Sequence, residues 1–300
     1  MTDEISPENR ASGMWSGDSR MIARGRGCDV VLHKQGKKPY DDLSQVEAVQ
    51  MGHVMEPVVA HIFEDVHGVK LKALDDTALT HRQHPWMKSH FDYVSTDGTY
   101  LVECKNYNEG AKSKFSEAGE AIRIPPADMY QCIHEAAVYG VNKVWLAVLF
   151  GGQSYRDYEI DVTEEMKDGL IQNIAIYWAH VQNGSLPEPS TVDQARFIYP
   201  SDAGRQIVAT AAVEQMCSQL KAVKKQIKQL EEAEESMTGQ LMAWMKDHSE
   251  VVSVDGSTIL TWKQAKGSKK FSASLFQQSM PDIYAKFVVE VPGSRRFLVK

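Results

Sequence analysis

An apolar run, Leu101-Val102-Glu103-Cys104-Lys105, ends in acid-x-base, and a lone acid, Asp92, lies upstream of it. Side chains alternate faces along a strand, so Glu103 and Lys105 point one way and Val102 and Cys104 the other. A buried strand should not carry a charged pair at its end without a reason. A divalent metal is one reason: Asp92 and Glu103 bind it, and Lys105 steadies an attacking water. Phosphodiester hydrolysis at neutral pH needs a nucleophile, charge neutralisation on the phosphoryl oxygens and help for the leaving oxygen, and one or two Mg²⁺ ions supply all three. Mg²⁺ takes oxygen ligands and keeps several waters, so two or three carboxylates suffice. Asp92, Glu103 and the backbone carbonyl of Cys104 make such a ligand set, with Glu56 completing it through water and Mn²⁺ able to substitute. The charge of Lys105 favours a deprotonated water nearby. Gln131 is a neutral hydrogen-bonding partner for the nucleophile or for Lys105.

Taken singly, each of these residues has an ordinary reading. Glu103 and Lys105 could be an exposed pair at a strand end, Asp92 a turn cap, and Glu56 an acid favoured at a helix start. His81-x-x-His84 has a spacing that can bind metal, but no third ligand of comparable placement accompanies it. The basic clusters Arg20/Arg24/Arg26, Lys34/Lys37/Lys38 and Lys266/Lys269/Lys270 each read as solvated faces.

The elements that must position these residues are legible from periodicity. A helix is predicted from near Asp18-Ser19, with Ser19 as its N-cap. A second covers 45–66, with Val58, Ile62 and Val66 at i, i+4 spacing and Val59 and Phe63 beside them. Pro57 should kink or restart it, and Gly68 ends it. Residues 87–105 read as two strands joined through Thr96-Asp97-Gly98, and 106–124 as a mobile loop. Pro125-Pro126 opens a helix running to Gly140. Val144 to Phe150 is a buried strand, and Gly151-Gly152 turns it into another, Tyr155 to Val162. Thr163 caps a helix to about Gln182, with Met166, Leu170, Ile174, Trp178 and Val181 on one face. Leu186-Pro187-Glu188-Pro189-Ser190 reads as a linker. Beyond it, Val213, Met216, Leu220, Val223, Ile227, Leu230, Met237, Leu241 and Trp244 keep alternating 3–4 spacing, interrupted by Glu234, which is the pattern of a coiled coil or helical hairpin. Gly239 is its weak point. Two hairpins follow, turning at Asp255-Gly256 and at Pro292-Gly293, the second between Phe287–Val291 and Arg296–Val299.

At 300 residues, with 43% hydrophobic and 24% charged, the chain can build one large domain or two modest ones. No apolar run approaches the roughly 18–20 residues that span a bilayer, and the polar, acidic start is no signal peptide. Four scattered cysteines without a Cys-x-x-Cys pair argue against disulfides and structural zinc and for a reducing cytoplasm. The net charge of -7 is uneven. From Arg205 onward there are 14 Lys and Arg against 10 Asp and Glu, a balance of +4 that leaves -11 for residues 1–204. An acidic total does not exclude nucleic acid, since a metal site needs carboxylates and DNA contacts can be local.

The order helix acid, Asp, Glu-x-Lys on a strand, helix Gln is that of the PD-(D/E)xK nucleases. The segments Met51-Gly52-His53-Val54-Met55-Glu56-Pro57, His84-Pro85-Trp86-Met87, Val102-Glu103-Cys104-Lys105, Ile124-Pro125-Pro126-Ala127-Asp128-Met129-Tyr130-Gln131 and Leu146-Ala147-Val148-Leu149-Phe150-Gly151-Gly152-Gln153 closely resemble the YqaJ-type viral recombinases, phage alkaline exonucleases related to lambda exonuclease. The resemblance covers about residues 10–190. It implies a restriction-endonuclease-like α/β core, a central mixed sheet flanked by helices, over 1–190. A linker over 191–204 and a helical, coiled-coil-like and β-hairpin extension over 205–300 would follow. It implies metal-dependent 5′→3′ digestion of one strand of linear duplex DNA, leaving 3′ tails for a single-strand annealing protein. It also implies ring-like homo-oligomers, often trimers, and the bacterial host cytoplasm if the protein is phage-encoded; the lack of a spanning apolar run predicts no membrane association. Glu56, Asp92, Glu103, Lys105 and Gln131 match the family's motif positions. Gly17-Asp18-Ser19 looks like its early Gly-x-Ser, where the serine helps hold a 5′-phosphate at a helix start; Arg10 or Arg20 would be the accompanying cation. The chain departs from the family at Phe91-Asp92-Tyr93, where Pro-Asp-Gly is usual. Two other readings remain: a restriction-like or structure-specific endonuclease of the same fold, and a non-catalytic DNA-binding protein that kept it.

Overall fold

The computed structural model describes residues 7–74, 78–117, 119–291 and 293–300. The chain divides into two compact units, one ending at Ile198 and one beginning at Tyr199.

The first unit opens with α1 (Pro7–Ala11), β1 (Met14–Trp15), α2 (Ser16–Ala23), α3 (Gly27–Lys34) and α4 (Glu47–His67). Strands β2 (Leu71–Ala73), β3 (Leu79–Thr80), β4 (Met87–Ser89), β5 (Tyr93–Ser95) and β6 (Leu101–Tyr107) follow. A 3₁₀ turn over Glu109–Lys114, α5 (Pro126–Tyr139), β7 (Lys143–Phe150), β8 (Ser154–Asp161), α6 (Glu164–Asn183) and α7 (Val192–Ile198) complete the unit. The main sheet has the order β2-β5-β6-β7-β8. Only β6 and β7 run parallel; the other neighbours are antiparallel. The expected mixed sheet flanked by helices is what forms. β7 sits between two strands, and a strand covered on both faces must be apolar throughout, which is what Val144 to Phe150 supplies.

The alternation along β6 sorts its residues between two layers. Val102 and Cys104 join Ala147 and Leu149 of β7 under Val59, Ala60 and Phe63 of α4. Leu101 joins Val144, Leu146, Val148 and Phe150 under Cys132, Ile133 and Ala136 of α5. Glu103 and Lys105 lie on the α5 side, as the spacing requires.

Several local expectations are corrected. α4 runs through Pro57 as one helix and presents Val59 and Phe63 to the sheet, while Val58 and Val66 are exposed. Ser19 is not an N-cap: α2 starts three residues earlier, with Trp15 at the cap and the Asp18 carboxylate accepting from the Trp15 N–H at 2.7 Å. The described part of 106–124 is anchored rather than loose. Phe115 and Ser116 are buried, Arg123 donates to the carbonyls of Ser113 and Phe115, and the Tyr158 hydroxyl donates to the Ser116 carbonyl. α7 lies inside the stretch read as linker, with Gln194 buried and bonded to Asp29.

The second unit consists of α8 (Ala211–Met245), the hairpin β9 (Glu250–Val252) and β10 (Thr258–Thr261), α9 (Ala273–Ser279) and α10 (Pro281–Phe287). α8 is one unbroken 35-residue helix through Gly239, capped by the Thr210 hydroxyl. The hairpin at Asp255-Gly256 forms as expected. The second expected hairpin does not: α10 takes up Phe287, and the described residues from Val288 to Lys300 contain no strand. Pro292, at its turn, lies outside the described residues. A two-stranded hairpin without a third strand or a helix to pack on is marginal in water.

Candidate active site

The β5–β6 register pairs Tyr93 with Val102 and Val94 with Leu101, so Asp92 falls opposite Glu103. The Asp92 carboxylate accepts from the Cys104 backbone N–H at 2.8 Å, and its backbone carbonyl accepts from Leu74. A carboxylate thus takes the place of the next ladder partner, which fixes the side chain that the Phe91-Asp92-Tyr93 turn would otherwise leave free.

Glu103 is buried and its Oε1 accepts from both Lys105 and Gln131, the latter at 2.6 Å. The Gln131 amide is held at both ends. Its nitrogen also donates to Glu135 at 2.8 Å, and its oxygen accepts from Arg20 at 2.9 Å. Arg20 continues the network, donating to the Tyr107 hydroxyl at 3.0 Å and pairing with Asp128 at 2.9 Å; Tyr107 donates to Asp128 at 2.7 Å. Glu56 reaches the cluster from α4, on the other side of the sheet, and its charge acts on Asp92.

This arrangement concentrates negative charge. Burial, then Glu103, push the Asp92 pKa well above the usual carboxylate range, with Glu56 adding to the rise and Lys105 opposing it. Burial, then Glu103 and Asp92, do the same to Glu135. Burial disfavours the Lys105 charge, yet Glu103 and Asp92 outweigh it and raise its pKa. Among the described residues no group of three or more His, Cys, Asp or Glu stands as a ready-made metal cage. Mg²⁺ does not require one, since it is held by one or two carboxylates plus waters. Asp92 keeps partial exposure beside buried Glu103, and their mutual repulsion is what a divalent cation would relieve. The donor set therefore fits such an ion.

Glu56, Asp92, Glu103, Lys105 and Gln131, all expected from the sequence, come together in one electrostatic cluster. Arg20 joins it through Gln131. Arg10 does not: its guanidinium lies over the Tyr40 ring, 5.4 Å from the centroid. Ser19 is fully buried, its hydroxyl 2.8 Å from His134 Nδ1. The His81 and His84 rings lie tilted against each other with centroids 5.0 Å apart, and His81 Nδ1 accepts from the backbone of Gln83 and His84. Tyr107, Asp128, His134 and Glu135 were missed. A signal existed for three of them: Asp128, Gln131, His134 and Glu135 form a polar stripe on an otherwise apolar helix.

His134 is neutral by construction. Nε2 lies 3.1 Å from the Lys88 carbonyl, which can only accept, so Nε2 carries the hydrogen and Nδ1 accepts from Ser19. Burial holds its pKa down to about 4. The unfolded imidazole takes up a proton below about pH 6.5 and the folded one resists until about pH 4, so stability is complete above 6.5 and falls as pH drops between them. The expected loss is on the order of 3 kcal/mol. Denaturant titrations of the wild type and His134→Gln across that window check this; equal pH slopes would remove His134 as the cause.

Residues 25–142 match the family model of the YqaJ-like viral recombinase domain. That match contains all five clustered residues and begins after Ser19 and Arg20. Over 280 residues the chain is 25% identical to the uncharacterized protein YqaJ of Bacillus subtilis (strain 168), covering 91% of this chain and 85% of that protein. Among solved structures, the alkaline exonuclease LHK-Exo of Laribacter hongkongensis is 12% identical with a TM-score of 0.48, covering 58% of this chain and 90% of that one. A phage-related exonuclease from Haemophilus somnus 129PT is 10% identical with a TM-score of 0.40, covering 55% and 81%. No helix among the described residues is long and apolar enough to cross a membrane.

Proposed function

We propose that this protein is a metal-dependent exonuclease that digests one strand of linear duplex DNA in the 5′→3′ direction. The observation that carries the reading is the Asp92–Glu103–Lys105–Gln131 cluster inside a YqaJ-like domain. Asp92 and Glu103, with the Cys104 carbonyl and Glu56 through water, would hold Mg²⁺, for which Mn²⁺ could substitute. The bound ion would supply charge neutralisation at the phosphoryl group and a more acidic water. Lys105, charged and held by Glu103, would stabilise a deprotonated water and the negative charge that develops at phosphorus. Gln131 keeps Glu103 oriented, and its amide oxygen would have one lone pair left to accept from the attacking water.

Arg20 would receive the 5′-phosphate beside the cluster, with Ser19 supporting it from beneath rather than touching the ligand directly. Products would be 3′ single-stranded tails for an annealing protein, and the nuclease units would assemble as a ring, a trimer in the form the resemblance implies.

The test is incubation with linear duplex bearing 5′-phosphate or 5′-hydroxyl, and with closed circular duplex, with and without Mg²⁺. Shortening from phosphorylated 5′ ends, with circles intact, is expected. Cutting of circles would favour the endonuclease reading, and binding without any cleavage at any metal concentration would leave only a DNA-binding protein.

A further inference from the structure

α8 carries apolar residues at nine of the ten alternating 3–4 positions from Val213 to Trp244, and Glu234 holds the tenth. The seam is open to solvent: Met216 is 66% exposed, Leu230 70% and Trp244 70%. A strict seven-residue repeat over a helix about 50 Å long fits another helix and not a flat surface.

The charges along α8 say which helix, and in which direction. From Ala211 to Leu230 it bears Lys221, Lys224, Lys225 and Lys228 against Glu214 alone. From Glu231 to Met245 it bears Glu231, Glu232, Glu234 and Glu235 and no cation. A parallel second copy would lay lysines on lysines and put Glu234 against Glu234 in the seam, where desolvated like charges repel. An antiparallel second copy lays the basic half of each helix on the acidic half of the other. With Ile227 opposite Leu230, Leu220 meets Met237 and Val213 meets Trp244. Lys224 then flanks Glu231 and Glu234 of the second copy, and two-fold symmetry repeats the contact.

We propose that α8 is a self-association helix that pairs antiparallel with α8 of a second copy of this chain, seam to seam, with Lys224 of each on the acidic half of the other. The inference does not depend on the nuclease reading, and it uses a different unit of the chain.

Two measurements on the full-length protein test it. The first is charge exchange followed by sedimentation. Lys224→Glu or Glu231→Lys should each weaken the pairing about tenfold, since two symmetric contacts change at once, and the two together should restore it. Unchanged helicity by circular dichroism separates lost pairing from lost folding. The second reads direction from spin labels in a Cys217→Ser background, the other three cysteines being buried. Labels at Ser218→Cys should lie more than about 30 Å apart along the helices at 1.5 Å per residue, and labels at Lys228→Cys within about 15 Å. Short distances at both sites mean parallel pairing and overturn the proposal. So does the absence of any inter-chain distance at either site, or a double variant as weak as the singles.

Discussion

Changing Asp92 to Asn or Glu103 to Gln should lower turnover on linear duplex by about a thousandfold or more. The loss corresponds to roughly 4 kcal/mol of transition-state stabilisation, the scale of a metal that no longer holds its position. The same change at Asp92 should leave the metal-free protein at least as stable as the wild type. Asp92 is pushed toward its protonated form by burial and by Glu103, so an amide removes a repulsion while still accepting from the Cys104 N–H. Thermal melts without metal and rate measurements with Mg²⁺ therefore move in opposite directions. Turnover near wild type in both variants would remove the carboxylates from the chemistry. A large loss of stability would instead make Asp92 a structural residue.

Removing Arg20 should be costly in a different way. Its guanidinium holds Asp128, Tyr107 and the Gln131 oxygen, and Asp128 is almost wholly buried. Arg20→Ala strands that carboxylate, and stranding one member of a buried pair costs about 3–5 kcal/mol. Arg20→Ala with Asp128→Asn should recover much of the stability, since Tyr107 can still donate to the amide oxygen. It should not recover activity on 5′-phosphorylated ends, because the cation is still missing. Denaturant titration gives the stability and comparison of phosphorylated with hydroxyl ends gives the function. If the double variant regains full preference for phosphorylated ends, Arg20 is a brace for α2 against α5 and not a phosphate contact.

Much of the site was legible along the chain because strand alternation is a local rule. It put Glu103 and Lys105 on one face of β6, and residue type then limited what they could do. Helix boundaries set by Gly68, by Pro125-Pro126 and by Thr163 were equally local, as was the apolar run of β7. What the sequence could not show is which side chains meet across long separations. Arg20 and Gln131 are joined across 111 positions and Ser19 and His134 across 115. Neither pairing leaves a trace in periodicity, since both depend on how α2 packs against α5. Ser19 looked like a helix cap and is a buried donor to a neutral histidine. The resemblance offers Arg10 or Arg20 as the accompanying cation, and packing alone puts Arg20 against Gln131 and Arg10 over the Tyr40 ring.

The sequence by itself determined the element types, the strand that carries the Glu-x-Lys pair and the heptad repeat of α8, because each follows from spacing of 2 or 3.5 residues. Only the tertiary structure decided that Glu135 and Asp128 belong with Gln131, that α4 turns Val59 rather than Val58 to the sheet, and that the described residues from Val288 onward contain no strand. Those outcomes rest on burial and on which apolar face finds a partner, and these are properties of the assembled layers rather than of any single segment.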